Sequence, residues 1–202
     1  MAEFRGWPVS ELEFGTPFQF LVAVMLSAQT TDKQVNRVTP EYFSSVKTPE
    51  DALEFSEART EKLLSGVNYY KTKARHVREA AEVLVSEFGS EIPKDLAAIQ
   101  RLPGVGIKTA KVVLSVLYGL PYVGVDTHVH RVLNRIGVVR TKTPEKTDER
   151  VEKLFTVEEK TGSHHPLVLF GRYRCTAKNP RCADCPVRRE CRYYASLKLP
   201  EK

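Results

Sequence analysis

The hairpin of residues 99–118 decides the fold class, and its sequence is IQRLPGVGIKTAKVVLSVLY. One helix is predicted to end near Leu102, and a second helix to begin near Gly106 or Ile107 after a tight turn. Gly104 and Gly106 let the turn lie flat, so that its backbone N–H groups can come close to an anion at the helix N-terminus. We interpret the segment as a helix–hairpin–helix that grips a DNA backbone without reading its sequence, although most Gly-x-Gly turns are only structural.

The second helix of this hairpin carries a candidate nucleophile. Lys108 falls in its first turn, where the helix dipole disfavours a cation, and Lys111 adds repulsion between like charges. Both effects favour the neutral, nucleophilic amine, whereas the plainer alternative is a lysine that contacts phosphate or solvent. We expect Lys111 to contact DNA. Helical spacing gives one apolar face and one polar face, formed by Ile107, Ala110, Leu114 and Leu117 and by Lys108, Lys111 and Ser115, respectively.

Helix start and stop signals along the chain predict about ten short helices. No convincing strand is apparent. The apolar run FQFLVAVMLSAQ, residues 18–29, is apolar nearly all round and predicts a buried central helix. We therefore predict an all-α fold. Helix starts are indicated by Thr16-Pro17, Thr48-Pro49 and Thr143-Pro144, and helix ends by Gly66, Gly89, Gly119 and Gly137.

Composition excludes several classes of protein. The 202 residues include 31 Lys+Arg and 25 Asp+Glu, a net charge of +6, within an ordinary globular mixture. No apolar run approaches the roughly 18 residues of a membrane helix, and no secretory signal is recognisable. These observations predict a cytosolic or nuclear setting and no membrane partner, and the basic balance is compatible with a polyanion. Scarce Asn, Gln and Met hint at a heat-adapted source.

Asp126 is the candidate acidic partner, in the segment VDTHVHRVLNRIG. Its plainest role is to cap the helix that begins at Thr127. A carboxylate held there could also stabilise a cationic transition state or steer a proton from an amine, and the two roles are compatible. His128, two residues further on, is a candidate DNA contact.

The four cysteines lie close together near the C-terminus, with the spacing C-x6-C-x2-C-x5-C. Four thiolates suit zinc or a 4Fe–4S cluster, and a reducing compartment argues against two disulfides. The single C-x2-C pair favours the iron–sulfur cluster modestly, since zinc sites usually show two such pairs. The predicted ligands are Cys175, Cys182, Cys185 and Cys191.

A basic loop lies between the first two cysteines. Lys178 and Arg181 are expected to point outward and contact DNA phosphates. The alternative is that these charges only offset the anionic metal–thiolate centre.

Five motifs in this order make the chain similar to the endonuclease III family of helix–hairpin–helix DNA glycosylases, over roughly residues 8–194. The resemblance implies a base-excision repair enzyme that removes oxidised pyrimidines, such as thymine glycol, and then cleaves the abasic strand by β-elimination. The motifs are LSAQTTD (26–32), LPGVGIKTA (102–110), VDTHVHRV (125–132), FGRYRC (170–175) and the cysteine pattern.

The resemblance also implies an architecture. A six-helix barrel domain would span 10–122, and an iron–sulfur domain would combine 1–9 with 123–202, with the cluster loop at 175–191. Double-stranded DNA containing oxidised pyrimidines or abasic sites would occupy a cleft between these two helical lobes. The expected enzyme is a monomer in the cytoplasm, associated with the nucleoid of a prokaryote.

Residue roles follow from the matching motifs. Lys108 corresponds to the lysine that attacks the sugar C1′ and forms a Schiff base, and Asp126 corresponds to the catalytic aspartate. The four cysteines match the cluster ligands. Gln29 matches a residue that fills the gap left by the extruded base. A second wedge would align near Tyr69, where the sequence Asn68-Tyr69-Tyr70 departs from the Gly-Leu-Tyr frequent in the family.

Two other functions remain open at this point. One is a monofunctional adenine or mismatch-thymine glycosylase of the same superfamily. Such relatives usually lack a lysine at the position of Lys108, and the adenine-specific ones carry an extra C-terminal domain. The other is a non-catalytic DNA-binding module that combines the hairpin with a zinc knot.

Overall fold

All regular structure in the computed structural model is helical. The structure describes residues 10–197, and within that range it contains twelve α-helices, one π-helical turn and no strand. The all-α prediction is therefore confirmed. The segment 1–9 and the last five residues of the predicted iron–sulfur domain lie outside the described residues.

The described chain forms two compact units that divide between Tyr118 and Gly119. The first unit contains seven helices. They are α1 (Pro17–Ser27), α2 (Asp32–Ser45), α3 (Pro49–Leu53), α4 (Glu57–Leu63), α5 (Tyr70–Phe88), α6 (Leu96–Ile99) and α7 (Ile107–Tyr118).

The second unit contains the remaining helices and all four cysteines. None of the described helices has the length and apolar character needed to cross a membrane. The elements are α8 (Thr127–Ile136), α9 (Pro144–Leu154), α10 (Val157–Lys160), α11 (His164–Leu169), the π-helical turn (Phe170–Arg174) and α12 (Arg192–Ser196).

The three Thr–Pro pairs start helices as predicted. The hydroxyls of Thr16, Thr48 and Thr143 each accept a hydrogen bond from the backbone N–H three residues later. In each case the proline follows directly, where its missing N–H costs no hydrogen bond. The starts were predictable because both devices act within one helical turn.

Helix α1 forms the centre of the first unit. Every residue from Phe18 to Leu26 is buried, and the helix packs against α2, α5 and α7. A helix covered on all sides needs apolar residues around its whole circumference, as the sequence of 18–29 indicated.

The hairpin of residues 99–118 differs from the prediction at one end. Helix α7 begins at Ile107 as expected, but α6 ends at Ile99 rather than near Leu102. The intervening chain continues in tight turns, in which Leu102 N donates to Ile99 O at 3.2 Å and Val105 N to Leu102 O at 3.0 Å. Each of these bonds joins an N–H to the carbonyl three residues earlier, so the chain turns tightly but the α-helix does not continue.

The second unit has its own core, built mostly from valine and leucine side chains of α8, α9 and α11. Cys175 and Cys185 pack against this core. The π-helical turn ends where Cys175 N donates to Phe170 O at 2.7 Å. The first cysteine is therefore attached directly to a buried element.

Candidate functional site

Lys108 lies where the sequence predicted, in the first turn of α7. Ala110 N donates to Gly106 O at 2.9 Å and closes this turn. The lysine side chain is exposed, so its amine is accessible to a ligand that approaches the helix N-terminus.

The two hairpin glycines, Gly104 and Gly106, differ in their backbone conformation and in the space around them. Gly104 adopts a φ of +78°, and a Cβ there would lie 2.9 Å from Cβ and Nδ1 of His76 on α5. A Cβ on Gly106 would meet no described atom within 4 Å. The turn therefore packs on α5 through Gly104 and remains open at Gly106, where a phosphate could approach the backbone.

Lys111 requires a correction, because only 2% of its surface is exposed. The expectation of a DNA contact assumed that Lys111 shared a solvent face with Lys108. Neighbours from Ala110 to Leu114 are also buried, since α7 packs against both α1 and α6. Lys111 is thus not placed as a surface phosphate contact.

Gln29 and Tyr69 both occupy left-handed backbone conformations, with φ values of 55° and 57°. Both are exposed, Tyr69 to 65%. Asn68 joins their two loops, because its Nδ2 donates to Gln29 O at 2.5 Å and its N donates to Thr30 Oγ1 at 3.2 Å. The two candidate wedge residues therefore belong to loops that are bonded to each other.

Lys73 is a site residue that the sequence analysis missed. Its side chain on α5 is buried and bonds to the loop that contains Gln29. A signal existed, because Lys73 precedes Val77, Ala80 and Leu84 at helical spacing on the buried face of α5.

Asp126 caps α8 as predicted. Its Oδ1 accepts hydrogen bonds from His128 N and Val129 N, both at 2.8 Å. Among the described residues, the structure shows no hydrogen bond to its Oδ2. One carboxylate oxygen thus fixes the side chain at the helix N-terminus, while the other remains available.

His128 is held by the protein around it. Its Nδ1 lies 3.1 Å from a guanidinium nitrogen of Arg131, and its backbone packs against Gly171. Burial lowers the pKa of His128, and Arg131 and Arg172 lower it further, whereas Asp126 opposes them. The imidazole is accordingly neutral at neutral pH and accepts the Arg131 hydrogen bond.

All four predicted ligand cysteines line one cavity, part of which is open to solvent. None of them forms a disulfide. Burial and the negative charge of the other three cysteines raise the pKa of Cys182. The apolar side chains of Ile136, Phe170 and Val187 complete much of the wall.

Two arginines of α8, unnoticed in the sequence, hold the start of the cysteine loop. Arg131 Nε donates to Cys175 O at 2.9 Å, and Arg135 donates to Thr176 O at 2.7 Å and to Ala177 O at 3.0 Å. Arg135 also lies 3.6 Å from Cys175 Sγ. Their i, i+4 spacing on one helix face was the available signal.

The two basic candidates of the loop differ in their surroundings. Lys178 and Arg181 are both exposed. Arg181 forms an ion pair of 2.8 Å with Asp184, which also pairs with Arg174 at 3.1 Å. Arg181 is therefore partly neutralised within the loop by the Asp184 carboxylate.

The chain is similar in sequence and in structure to known proteins of one family. Residues 22–156 match the HhH-GPD superfamily of base excision DNA repair proteins. The chain is 41% identical to endonuclease III of Rickettsia conorii over 95% of its own length and 91% of the relative's. Against endonuclease III of Escherichia coli K12, identity is 39% over 98% and 94% of the two chains.

The chain belongs to the endonuclease III family. The structure of a trapped endonuclease III–DNA covalent intermediate superposes with a TM-score of 0.89 at 36% identity, covering 98% of this chain and 93% of that one. A thermostable thymine-DNA glycosylase superposes with a TM-score of 0.82 at 25% identity, covering 90% and 85%. As a member of the endonuclease III family, the chain is a DNA glycosylase and AP lyase of base excision repair.

Proposed function

We propose that this enzyme removes oxidised pyrimidines, of the thymine glycol type, from double-stranded DNA and then cleaves the abasic strand. The observation that carries the proposal is an exposed lysine in the first turn of α7, directly after the hairpin turn. A primary amine at that place can bind covalently to a sugar whose phosphate contacts the turn.

The reaction begins when the Lys108 Nζ lone pair forms a bond to C1′. The bond between C1′ and the base nitrogen breaks, and the base leaves with that electron pair and gains a proton. The nitrogen loses one proton, the C1′–O4′ bond breaks as O4′ takes a proton and the ring opens, and an iminium that keeps the remaining N–H (the protonated Schiff base) joins Nζ to C1′. A base then takes a C2′ proton, and the C3′–O bond breaks, so that the 3′ phosphate leaves by β-elimination.

Asp126 would assist these steps as a negative charge and proton acceptor. Its Oδ1 is fixed by two amide hydrogen bonds at the start of α8, and Oδ2 keeps its lone pairs. A carboxylate held in this way needs little reorganisation to stabilise a cationic sugar. We assign Asp126 this role beside its capping role.

DNA binding would use the backbone of the turn from Gly104 to Gly106, which is open at Gly106, together with exposed side chains. Gln29 would fill the gap that the extruded nucleotide leaves, and the exposed ring of Tyr69 is suited to stack beside it. Extrusion costs least at a damaged base, which contributes to selectivity. Lys178 and His128 remain predicted contacts, and Arg181 could contribute after exchanging Asp184 for a phosphate.

We also propose that the four cysteines hold a 4Fe–4S cluster. They line one cavity, and none of them forms a disulfide. Four thiols around one cavity match the complete ligand set of a 4Fe–4S cluster. When bound, the cluster would tie the loop to the core through four covalent bonds.

The proposed setting follows from the relatives, which are bacterial. We infer a cytoplasmic enzyme that acts on the nucleoid as a monomer, with the two domains that the sequence predicted, 10–122 and the combination of 1–9 with 123–202. Heat adaptation of the source stays a prediction.

The test uses a duplex with one thymine glycol, incubated without added metal. The wild-type enzyme should nick it and form a covalent complex that borohydride traps. Lys108→Gln should still bind the damaged duplex, because the hairpin is intact, but should form no trapped complex. Trapping by the Lys108→Gln variant at the wild-type level would refute this nucleophile.

The structural similarity to a thymine-DNA glycosylase favours one alternative, a monofunctional glycosylase, and the same experiment tests it. A monofunctional enzyme would release a base without nicking the strand and without a trapped complex. Release of mismatched thymine with no trapping by the wild-type protein would therefore favour that alternative.

A further inference from the structure

Lys73 is a buried cation that the proposed chemistry does not use. Only 7% of its surface is exposed, and it projects from α5 within the first unit. Its Nζ donates to Leu26 O at 2.7 Å, to Ala28 O at 2.6 Å and to Thr30 Oγ1 at 3.1 Å. Three acceptors match the three hydrogens of an ammonium group.

These acceptors lie on both sides of Gln29. Leu26 belongs to the last turn of α1, and Ala28 and Thr30 are the two neighbours of Gln29. Asn68 Nδ2 donates to the Gln29 carbonyl itself at 2.5 Å. The backbone is therefore anchored before, at and after Gln29, while the Gln29 side chain is exposed.

The backbone conformation at Gln29 needs such anchors. Its φ of 55° is left-handed, and residues with a Cβ adopt this region only at an energetic cost unless the surroundings impose it. Burial lowers the pKa of Lys73, because the buried ammonium loses its solvation. A buried charge is retained only where it has firm partners.

We propose that Lys73 is a positioning residue for Gln29: it holds the loop 28–30 in the form that presents the Gln29 side chain to the gap in the DNA. The proposal deepens the proposed function, because it rests on Gln29 entering that gap. Lys73 itself touches neither the sugar nor the base.

The main experiment replaces Lys73 with methionine, which keeps the length of the stem and removes the three donors. Lys62→Met is the matched control, since Lys62 is an exposed lysine on α4 of the same unit. Each variant is assayed on a thymine-glycol duplex and on a single-stranded oligonucleotide with a preformed abasic site. The second substrate has no base to extrude and no opposite strand in which a gap must be filled.

Lys73→Met should lower excision from the duplex by roughly tenfold, about 1.4 kcal/mol, with single-strand cleavage unchanged. Lys62→Met should leave both rates at the wild-type level. In a Gln29→Ala background, Lys73→Met should cause no further loss, because the residue it positions is gone. Equal losses on both substrates, or additive losses in the double variant, would overturn the proposal.

A binding assay separates this inference from the proposed function. The duplex carries a tetrahydrofuran abasic analogue opposite 2-aminopurine, whose fluorescence reports entry of a side chain into the gap without any chemistry. The wild-type protein should change the fluorescence, and Gln29→Ala and Lys73→Met should both abolish the change. A wild-type change that Lys73→Met retains contradicts the role of Lys73, whereas failure to nick thymine glycol contradicts only the proposed function.

Thr30→Val covers the case in which Lys73→Met does not fold. It removes a half-buried oxygen that accepts hydrogen bonds from the ammonium and from Asn68 N, and it leaves the two carbonyls. A folded Thr30→Val variant should excise thymine glycol from the duplex more slowly than the wild-type protein, by less than the tenfold expected for Lys73→Met. Its cleavage of the single-stranded substrate should be unchanged. Wild-type rates on both substrates would contradict an anchored loop.

Discussion

The two carboxylate oxygens of Asp126 have different surroundings, since Oδ1 accepts both amide hydrogens at the start of α8. Asp126→Asn keeps an oxygen for the cap and removes the charge. We expect the free energy of unfolding to change by less than about 0.5 kcal/mol and single-turnover excision to fall by roughly a hundredfold.

Asp126→Ala is the matched comparison for this prediction. It should lose both the activity and about 1 kcal/mol of stability, because the two amide hydrogens lose their acceptor. Urea unfolding and excision assays measure the two quantities. An Asp126→Asn variant with full activity would leave Asp126 with a capping role alone.

His128 makes stability depend on pH. Burial, with Arg131 and Arg172, lowers its folded pKa below the ordinary value near 6.5, so the unfolded chain takes up a proton first as the pH falls. The stabilising contribution is complete above about pH 6.5 and is lost as the pH falls through the lowered pKa. Between pH 7.5 and 5.5, unfolding in urea should show a larger loss for the wild-type protein than for His128→Gln. Parallel losses in the two proteins would contradict this linkage.

The residues that sequence could and could not identify differ in the range of their interactions. Asp126 was predictable as a cap because its partners lie two and three residues away. The helical spacing of Lys73 indicated that it lies on the buried face of α5, but its hydrogen-bond acceptors lie 43 to 47 residues away, and no local pattern reveals them. Lys111 was misplaced for the same reason, since packing of other helices against α7 covers it.

Among the elements, the hairpin turn depends on Gly104 in two ways. Its φ of +78° disfavours a side chain, and a Cβ would lie 2.9 Å from His76. Gly104→Ala should therefore lower the free energy of unfolding by about 2–3 kcal/mol. The variant should also bind undamaged duplexes more weakly, because the turn shifts away from the phosphate.

Gly119→Ala is the matched control for the hairpin. Gly119 has a φ of +64°, but a Cβ there would meet no described atom within 4 Å, so only the backbone cost of about 1 kcal/mol is expected. The additional loss in Gly104→Ala should shrink when His76 is also changed to Ala. Equal stabilities of the two glycine variants would exclude the His76 contact as a cause.

At the scale of elements, helix starts followed from the sequence better than helix ends. Thr–Pro pairs fix a start within one turn, and all three did so. The early end of α6 and the π-helical turn at Phe170–Arg174 followed from no signal in the sequence. The end of α6 and the π-helical turn both depend on whether a backbone N–H bonds to the carbonyl three, four or five residues earlier.

Across the whole molecule, the cysteine cavity makes a prediction about metal content. The purified protein should be brown, with iron and sulfide, and Cys185→Ser should lose the colour. Because Cys185 packs against the core of the second unit, the same variant should also melt at a lower temperature. A colourless wild-type protein with one zinc ion would contradict the cluster and favour the zinc alternative.

Helix start and stop signals were enough to predict the all-α fold, because they act within one turn, and five ordered motifs were enough to predict the family by resemblance. The i, i+4 spacing of Arg131 and Arg135 indicated a shared helix face, but their partners were not predictable, since both bond to carbonyls more than 40 residues away. The ion pair between Arg181 and Asp184 likewise became apparent only in the folded loop.

The most direct test of the account is to locate the covalent bond to DNA. The wild-type enzyme is incubated with a thymine-glycol duplex and borohydride, the reduced complex is digested with a protease and a nuclease, and the modified peptide is sequenced by mass spectrometry. The account predicts one adduct, a deoxyribose remnant on Lys108. An adduct on Lys111, on another lysine or on no residue at all would contradict it.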